Sequence, residues 1–133
     1  MVDFWQNIFP SWLGKNYTWF YLANPYGLAG GWVVKESKAD KVIGSTAVFP
    51  REVFVNGKCL LAGIRGDFGV DPNYRSLGAA LQLKKAEVGA CSEKQFDFLY
   101  GYRNKKSEPV QRRAGFVVVG STCRMVEVLK SGD

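Results

Sequence analysis

Histidine is absent from this chain of 133 residues. That removes Ser-His and Cys-His catalysis and the commonest zinc ligand, and no metal is expected. Acid–base chemistry then falls to carboxylates, tyrosine, cysteine, lysine or groups of a substrate. Cysteine is scarce: Cys59, Cys91 and Cys123 form no close pair. An odd, scattered set reads as reduced thiols of a cytoplasmic protein, each a small buried apolar residue rather than a nucleophile. No apolar run is long enough to cross a bilayer. Met1 to Phe4 lacks the basic start of a signal peptide, so no membrane contact is expected. Repeats, linkers and low-complexity tracts are also missing.

What is present suits a globular protein. The length fits one domain, 1–133, with one core, and 47% hydrophobic residues are too many for a disordered chain. The formal charge is +6. A basic chain can bind nucleic acid, acidic lipid or a polyphosphate cofactor, or can simply be well solvated. Lys105, Lys106, Arg112 and Arg113 form the densest cluster. No RNA-binding aromatic signature accompanies it, so no nucleic acid is expected.

Phe4, Trp5, Ile8, Phe9, Trp12 and Leu13 repeat at helical spacing until Pro10 interrupts them, which predicts a kinked helix or two short turns. This aromatic segment, 1–20, offers an apolar face for the core or a dimer contact. Asn24-Pro25-Tyr26-Gly27 predicts a turn. Strands are expected at 31–36 and 42–48, with Pro50 ending or bulging the second. Asn56-Gly57 is a hairpin signal. A third strand runs from Cys59 to Val70, where Gly63, Gly66 and Gly69 suggest a bulge or a close backbone approach. Leu77, Ala80, Leu81, Leu83 and Val88 predict a helix with one apolar face. A strand at 97–102, a short helix at 107–114 stopped by Gly115, and a final strand pair at 116–120 and 123–129 complete the order. The fold class is α/β (α+β): a mixed, mostly antiparallel twisted sheet with crossover helices.

The turn between the third strand and the helix carries the chemistry. Arg75, Gly78, Ala79 and Ala80 follow Tyr74 where a strand feeds a helix start. Unpaired N–H groups and the helix dipole favour an anion there. Gly78 permits close approach, and Arg75 adds a planar cation suited to phosphate oxygens. The plain alternative is a tight connection with a surface arginine.

From about Tyr17 onward the chain resembles the GCN5-related N-acetyltransferases, the GNAT superfamily. Val70-Asp71-Pro72-Asn73-Tyr74-Arg75-Ser76-Leu77-Gly78-Ala79-Ala80 looks like the family's acetyl-CoA loop: Arg or Gln, two residues, Gly, one residue, then Gly or Ala. Asn104-Lys105-Lys106-Ser107 follows a strand, and Ala114-Gly115-Phe116 resembles the Gly-Phe closing the next helix. The resemblance implies an acyl-CoA N-acyltransferase-like fold, with 31–130 as the acetyl-CoA-binding core. It implies that the amides of Ser76, Leu77, Gly78, Ala79 and Ala80 cradle a pyrophosphate, with Arg75 beside them. The third strand, with Phe68 and Val70, would splay from the strand at 97–102 and present N–H groups to pantetheine and the thioester carbonyl. Asn104 and Ser107 would lie near the thiol arm.

Two positions depart from the family pattern. Gln111 stands where many members carry a tyrosine that protonates the leaving thiolate. Tyr102 or Tyr100 could substitute, or pack at the core's edge. The front is also short, so either the aromatic segment closes the acceptor pocket alone or a second copy, in a homodimer, completes it. Asp67, expected on one face with Arg65 and Gly69, is the candidate base, or else an ion-pair partner of Arg65 or a lysine. Glu36 and Glu52 are further candidates, and Asp71 reads as a turn residue. The leading reading is transfer of acetyl from acetyl-CoA to a small amine. A non-catalytic acyl-CoA binder or sensor, and a nucleic-acid module, are the alternatives.

Overall fold

The computed structural model describes residues 2–8, 16–123 and 125. Helix α1 spans Val2–Ile8, and a π-type turn spans Thr18–Leu22. Pro10 and the expected kink lie outside the described residues. Strands β1 (Gly30–Glu36), β2 (Lys41–Val55) and β3 (Lys58–Val70) follow. A 3-10 turn at Pro72–Leu77 leads into α2 (Ala79–Ser92), then β4 (Phe98–Tyr100) and α3 (Glu108–Arg113). The sheet order is β1-β2-β3-β4. The first two pairings are antiparallel and β3–β4 is parallel, so the sheet is mixed as expected.

Local chemistry explains the turns. Asn56 and Gly57 both take positive φ, 49° and 77°, which the tight β2–β3 hairpin needs. The Asn24 turn closes through Gly27 N–H to Asn24 C=O, and the Asn24 side chain accepts from Tyr26 N–H. The same side chain donates to Pro50 C=O at 3.1 Å.

That bond corrects the expectation for Pro50. β2 does not end there; it runs on to Val55 with Pro50 opposite Gly63. A strand residue turns its N and its C=O to the same side. The Pro50 carbonyl points to Asn24, so its missing N–H also points away from β3. β1 reaches only as far as Val48, so no ladder bond is lost.

α2 lies on one face of the sheet. Ile43, Val70, Ala79 and Leu83 form one buried cluster; Val48, Ala90 and Phe96 form a second, and Trp32 packs against both. The expected apolar face of α2 needs correction. Its buried residues are Ala79, Leu83, Lys84, Glu87 and Ala90, while Val88 is exposed. Two charged residues occupy the core side.

Two further expectations change. Residues 116–122 are not in a strand: Val117 and Val119 are 80% and 95% exposed, with no ladder to cover them among the described residues. The remainder of that pair lies largely outside the described residues. All three thiols are free; Cys59 and Cys123 are exposed rather than buried, whereas Cys91 is half-buried and packs against the second cluster, as expected.

Gly63 sits where β2, β3 and β4 meet. A Cβ there would overlap Val48 and come within 2.6 Å of Leu99. Gly63→Ala should therefore destabilise the fold by about 1–3 kcal/mol through overpacking. The reading is a lower denaturant midpoint at constant slope; an unmoved midpoint would show that both neighbours yield freely.

Candidate active site

The loop after β3 is clipped down by its own side chains. Asp71 accepts from Asn73 N–H at 3.0 Å and pairs with Lys41 at 3.2 Å. The Asn73 bond comes first among the causes that hold the Asp71 carboxyl below the usual range, with Lys41 adding to it. Asp71 is thus a turn residue, as read from sequence. Tyr74 donates to Glu36 at 2.8 Å, which pushes its phenol up and engages Glu36. Arg75 is exposed, and its Nε lies 3.4 Å from Val70 C=O. Ser76 and Leu77 end the 3-10 turn; their side chains lie outside the described residues.

These clips leave the start of α2 open. Gly78 joins the two helices at φ 76°, and no side chain caps the helix there. A Cβ on Gly78 would meet nothing within 4 Å. The first intrahelical bond runs from Gln82 N–H to Gly78 C=O at 3.0 Å. The N–H groups of Ala79, Ala80 and Leu81 therefore lack intrahelical acceptors. No acidic residue lies in the first turn.

β4 covers only part of β3. β3 and β4 pair over three positions, Ala62 to Ile64 with Phe98 to Tyr100. β3 then continues to Val70 with no strand on that side among the described residues. Asp71 N–H donates to Ile43 on β2. By alternation, the main-chain groups of Val70 and Phe68 face away from β2, into the splay.

A bulge lies within this free stretch. Ser45 pairs with Gly69 and Ala47 with Gly66, so Thr46 opposes two residues, Asp67 and Phe68. Asp67 takes φ 46°, the left-handed region that Asp tolerates better than most residues. The bulge separates Asp67 from Arg65, which sequence spacing had put on one face. Arg65 Nε reaches Glu87 on α2 at 2.9 Å. Asp67 Oδ2 instead accepts from Tyr21 Oη at 2.6 Å. Tyr21 packs edge-on against Phe49. A Cβ on Gly66 would touch Phe49, so this is the face opposite Arg65. Neither suggested ion pair of Asp67 forms.

On the α2 face lies a buried charge network. Lys84 and Glu87 are 1% and 0% exposed. Glu87 pairs with Lys84 at 2.5 Å and also accepts from Thr46. Lys84 Nζ sits 3.9 Å from the Phe68 ring centre, and the Arg65 guanidinium stacks 3.7 Å from that of Phe116. Burial pulls the Lys84 ammonium down, against the pull of Glu87. Helix i,i+3 spacing beside Ala79, Leu83 and Ala90 was the available sequence signal for this cluster.

The remaining candidates stand apart. Asn104 and Ser107 bond one another, Ser107 N–H to Asn104 Oδ1 at 2.8 Å, and Gln111 donates to Ser107 Oγ at 3.0 Å. Tyr102 is 76% exposed beyond β4, and no hydrogen bond joins it to Asp67. Glu52 is exposed. A cavity of about 720 Å³ lies among Arg65, Tyr100, Tyr102, Gln111 and Phe116, and Ser76 to Ala80 take no part in its lining. Among the described residues no group of three or more His, Cys, Asp or Glu could hold a metal ion, and no helix is long and apolar enough to cross a membrane.

An anion-ready helix start beside a parallel splay defines an acyl-CoA N-acyltransferase-like fold. The chain belongs to the GNAT superfamily: residues 1–119 match its Acetyltransferase (GNAT) domain. No curated protein matches it significantly. Among solved structures it is similar to AAC(6')-Iy in complex with the bisubstrate analogue CoA-S-monomethyl-acetylneamine: TM-score 0.72, 16% identity, 96% of this chain and 92% of that one. An aminoglycoside acetyltransferase from an uncultured soil metagenomic sample gives 0.67 and 17%, covering 97% and 86%. Glucosamine-6-phosphate N-acetyltransferase from Arabidopsis thaliana gives 0.62 and 15%, covering 77% and 67%.

Glu87 holds the buried network together. Glu87→Ala would leave Lys84 and Arg65 uncompensated and should cost about 3–5 kcal/mol. Urea unfolding reads this directly, and a loss below about 1 kcal/mol would show that water already solvates the pair.

Proposed function

We propose that the chain is an N-acetyltransferase that moves an acetyl group from acetyl-CoA to an amine of a small acceptor by direct attack. The observation that carries this reading is the uncapped start of α2 beside the β3–β4 splay. The residues there fit the group: free N–H donors, no Cβ in the approach, Arg75 alongside. In this reading Ser76 to Ala80 hold the pyrophosphate, and Asn104 and Ser107 flank the thiol arm. When bound, acetyl-CoA supplies an electrophilic thioester. The N–H groups of Phe68 and Val70 are placed to donate to its carbonyl as negative charge develops there. Asp67 takes a proton from the acceptor's ammonium, directly or through a water. The amine nitrogen would then bond to the carbonyl carbon, give its second proton to solvent, and the C–S bond would break. Tyr102 would give its own proton to the departing sulfur and regain one from solvent, or the thiolate would leave unprotonated.

The domain reading extends over 1–133, with 31–130 as the acetyl-CoA-binding core and 1–20 as an aromatic segment. Trp19, Phe20 and Leu22 are exposed on the adjoining turn, which supports a homodimer that completes the acceptor pocket. The free thiols support a cytoplasmic location. One observation favours a second reading, an acyl-CoA binder without turnover: Gln111 replaces the family's acid and is engaged by Ser107.

Gly78→Asp places a carboxylate at the open helix start and should weaken CoA binding by about tenfold or more with the fold intact. Calorimetry showing parental affinity would remove the loop from the binding site. Asp67→Asn keeps a side chain that accepts positive φ, and should lower kcat by about 10²-fold or more while CoA affinity holds. Equal turnover across pH would remove Asp67 as the base. CoA binding without thiol release across a broad amine panel would establish the second reading.

A further inference from the structure

We infer that Tyr21 is the positioning residue for Asp67: its hydroxyl takes one carboxylate oxygen and leaves the other aimed for the acceptor. The inference rests on Asp67 as the base. The O–H···O distance of 2.6 Å is that of a charge-assisted bond. Only Oδ2 is used. Oδ1 has no hydrogen-bond partner among the described residues, although Asp67 is half-buried. Oδ1 is not a buried orphan, so it stays open to water and to an approaching amine.

Tyr21 is held firmly enough to set a direction. It is 7% exposed. Ala23 N–H closes the π-type turn onto Thr18 C=O at 2.7 Å, and Ala29 N–H donates to Tyr21 C=O at 3.2 Å. On that turn Tyr17 and Tyr21 stack with ring centres 4.6 Å apart, and Phe49 meets Tyr21 edge-on at 5.1 Å. Single-turn π segments recur at functional sites. Burial first, then the bond to Asp67, pushes the Tyr21 phenol up, with Tyr17 adding slightly. The hydroxyl therefore stays protonated and donating through the working pH range. Arg65, the nearest cation in sequence, points to the other face and is committed to Glu87. The N-terminal aromatic segment thereby supplies a side chain that orients the base.

The test is a double-mutant cycle on the full chain, with acetyl-CoA and an amine that the parent acetylates. Tyr21→Phe keeps the ring packing and loses only the hydroxyl. Expected is a fall in kcat of about tenfold with CoA affinity unchanged and a melting temperature only a few degrees lower, as loss of one hydrogen bond to a charged group implies. The double variant Tyr21→Phe/Asp67→Asn should be no slower than Asp67→Asn alone, because Tyr21 acts only through Asp67. Parental kcat in Tyr21→Phe while Asp67→Asn is slow overturns the role of Tyr21 and spares the base. Full additivity in the double variant also overturns it. Parental kcat in both single variants overturns the base and this inference together. If Tyr21→Phe does not fold, Asp67→Asn carries the test. There the Tyr21 hydroxyl loses its charged acceptor, so its ring Cζ signal in a tyrosine-labelled carbon spectrum should move, and an unmoved signal overturns the pairing.

Discussion

Opposite Thr46, β3 carries two residues where β2 carries one, and the chemistry of the site depends on that mismatch. Without it, Arg65 and Asp67 would project from one face and neutralise one another. With it, Arg65 turns under α2 to Glu87, and Asp67 turns toward Tyr21. The bulge also restores the alternation that sends Phe68 and Val70 side chains into the α2-side core. Their main-chain donors then face the splay. One extra residue therefore sets that Asp67 meets Tyr21, that Arg65 is buried against Glu87 and where the strand's N–H groups point.

The buried charges on α2 fit the same geometry. Lys84 and Glu87 lie one helical turn apart, and they meet Thr46 on β2 and Arg65 on β3. Hydrophobic packing alone slides along a sheet with little change in energy. A carboxylate shared by three donors does not, because each bond fails within an ångström or so of displacement. The network thereby fixes the register of α2 over the bulge. That register sets the distance between the helix start at Gly78 and the donors of β3. Thr46 sits opposite the bulge and inside the network, so the same residue marks both.

Much of the fold was legible because it is local. Asn56-Gly57 demands a hairpin, and Asn24 to Gly27 a turn. Gly63, Gly66 and Gly69 mark a strand that cannot be regular, and the loop spacing from Arg75 to Ala80 is a family signature. What failed was non-local. Charge on Lys84 and Glu87 reads as a solvated face until Arg65 and Thr46 arrive from other strands. Pro50 reads as a strand end until one knows that β1 stops at Val48. Face assignment by alternation failed at Asp67 because alternation assumes no bulge between the residues counted. Tyr21 lies 46 positions from Asp67, and nothing in either segment announces the pair.

The open helix start is itself a constraint that the surrounding side chains respect. Helix N-termini are usually satisfied by a Ser, Thr, Asp or Asn at the cap, and Asp71 and Asn73 stand nearby with suitable chemistry. Asp71 is spent one turn earlier, on the Asn73 N–H and on Lys41. Gly78 occupies the cap position and offers no side-chain acceptor. Its left-handed φ reorients the chain between the 3-10 turn and α2, and no side chain caps the helix there. A capped start would add about 1 kcal/mol of stability but would close the donors to any outside anion. The arrangement gives up a local gain at the helix start proposed to hold an anion, and the Asp71, Tyr74 and Glu36 contacts secure the loop instead.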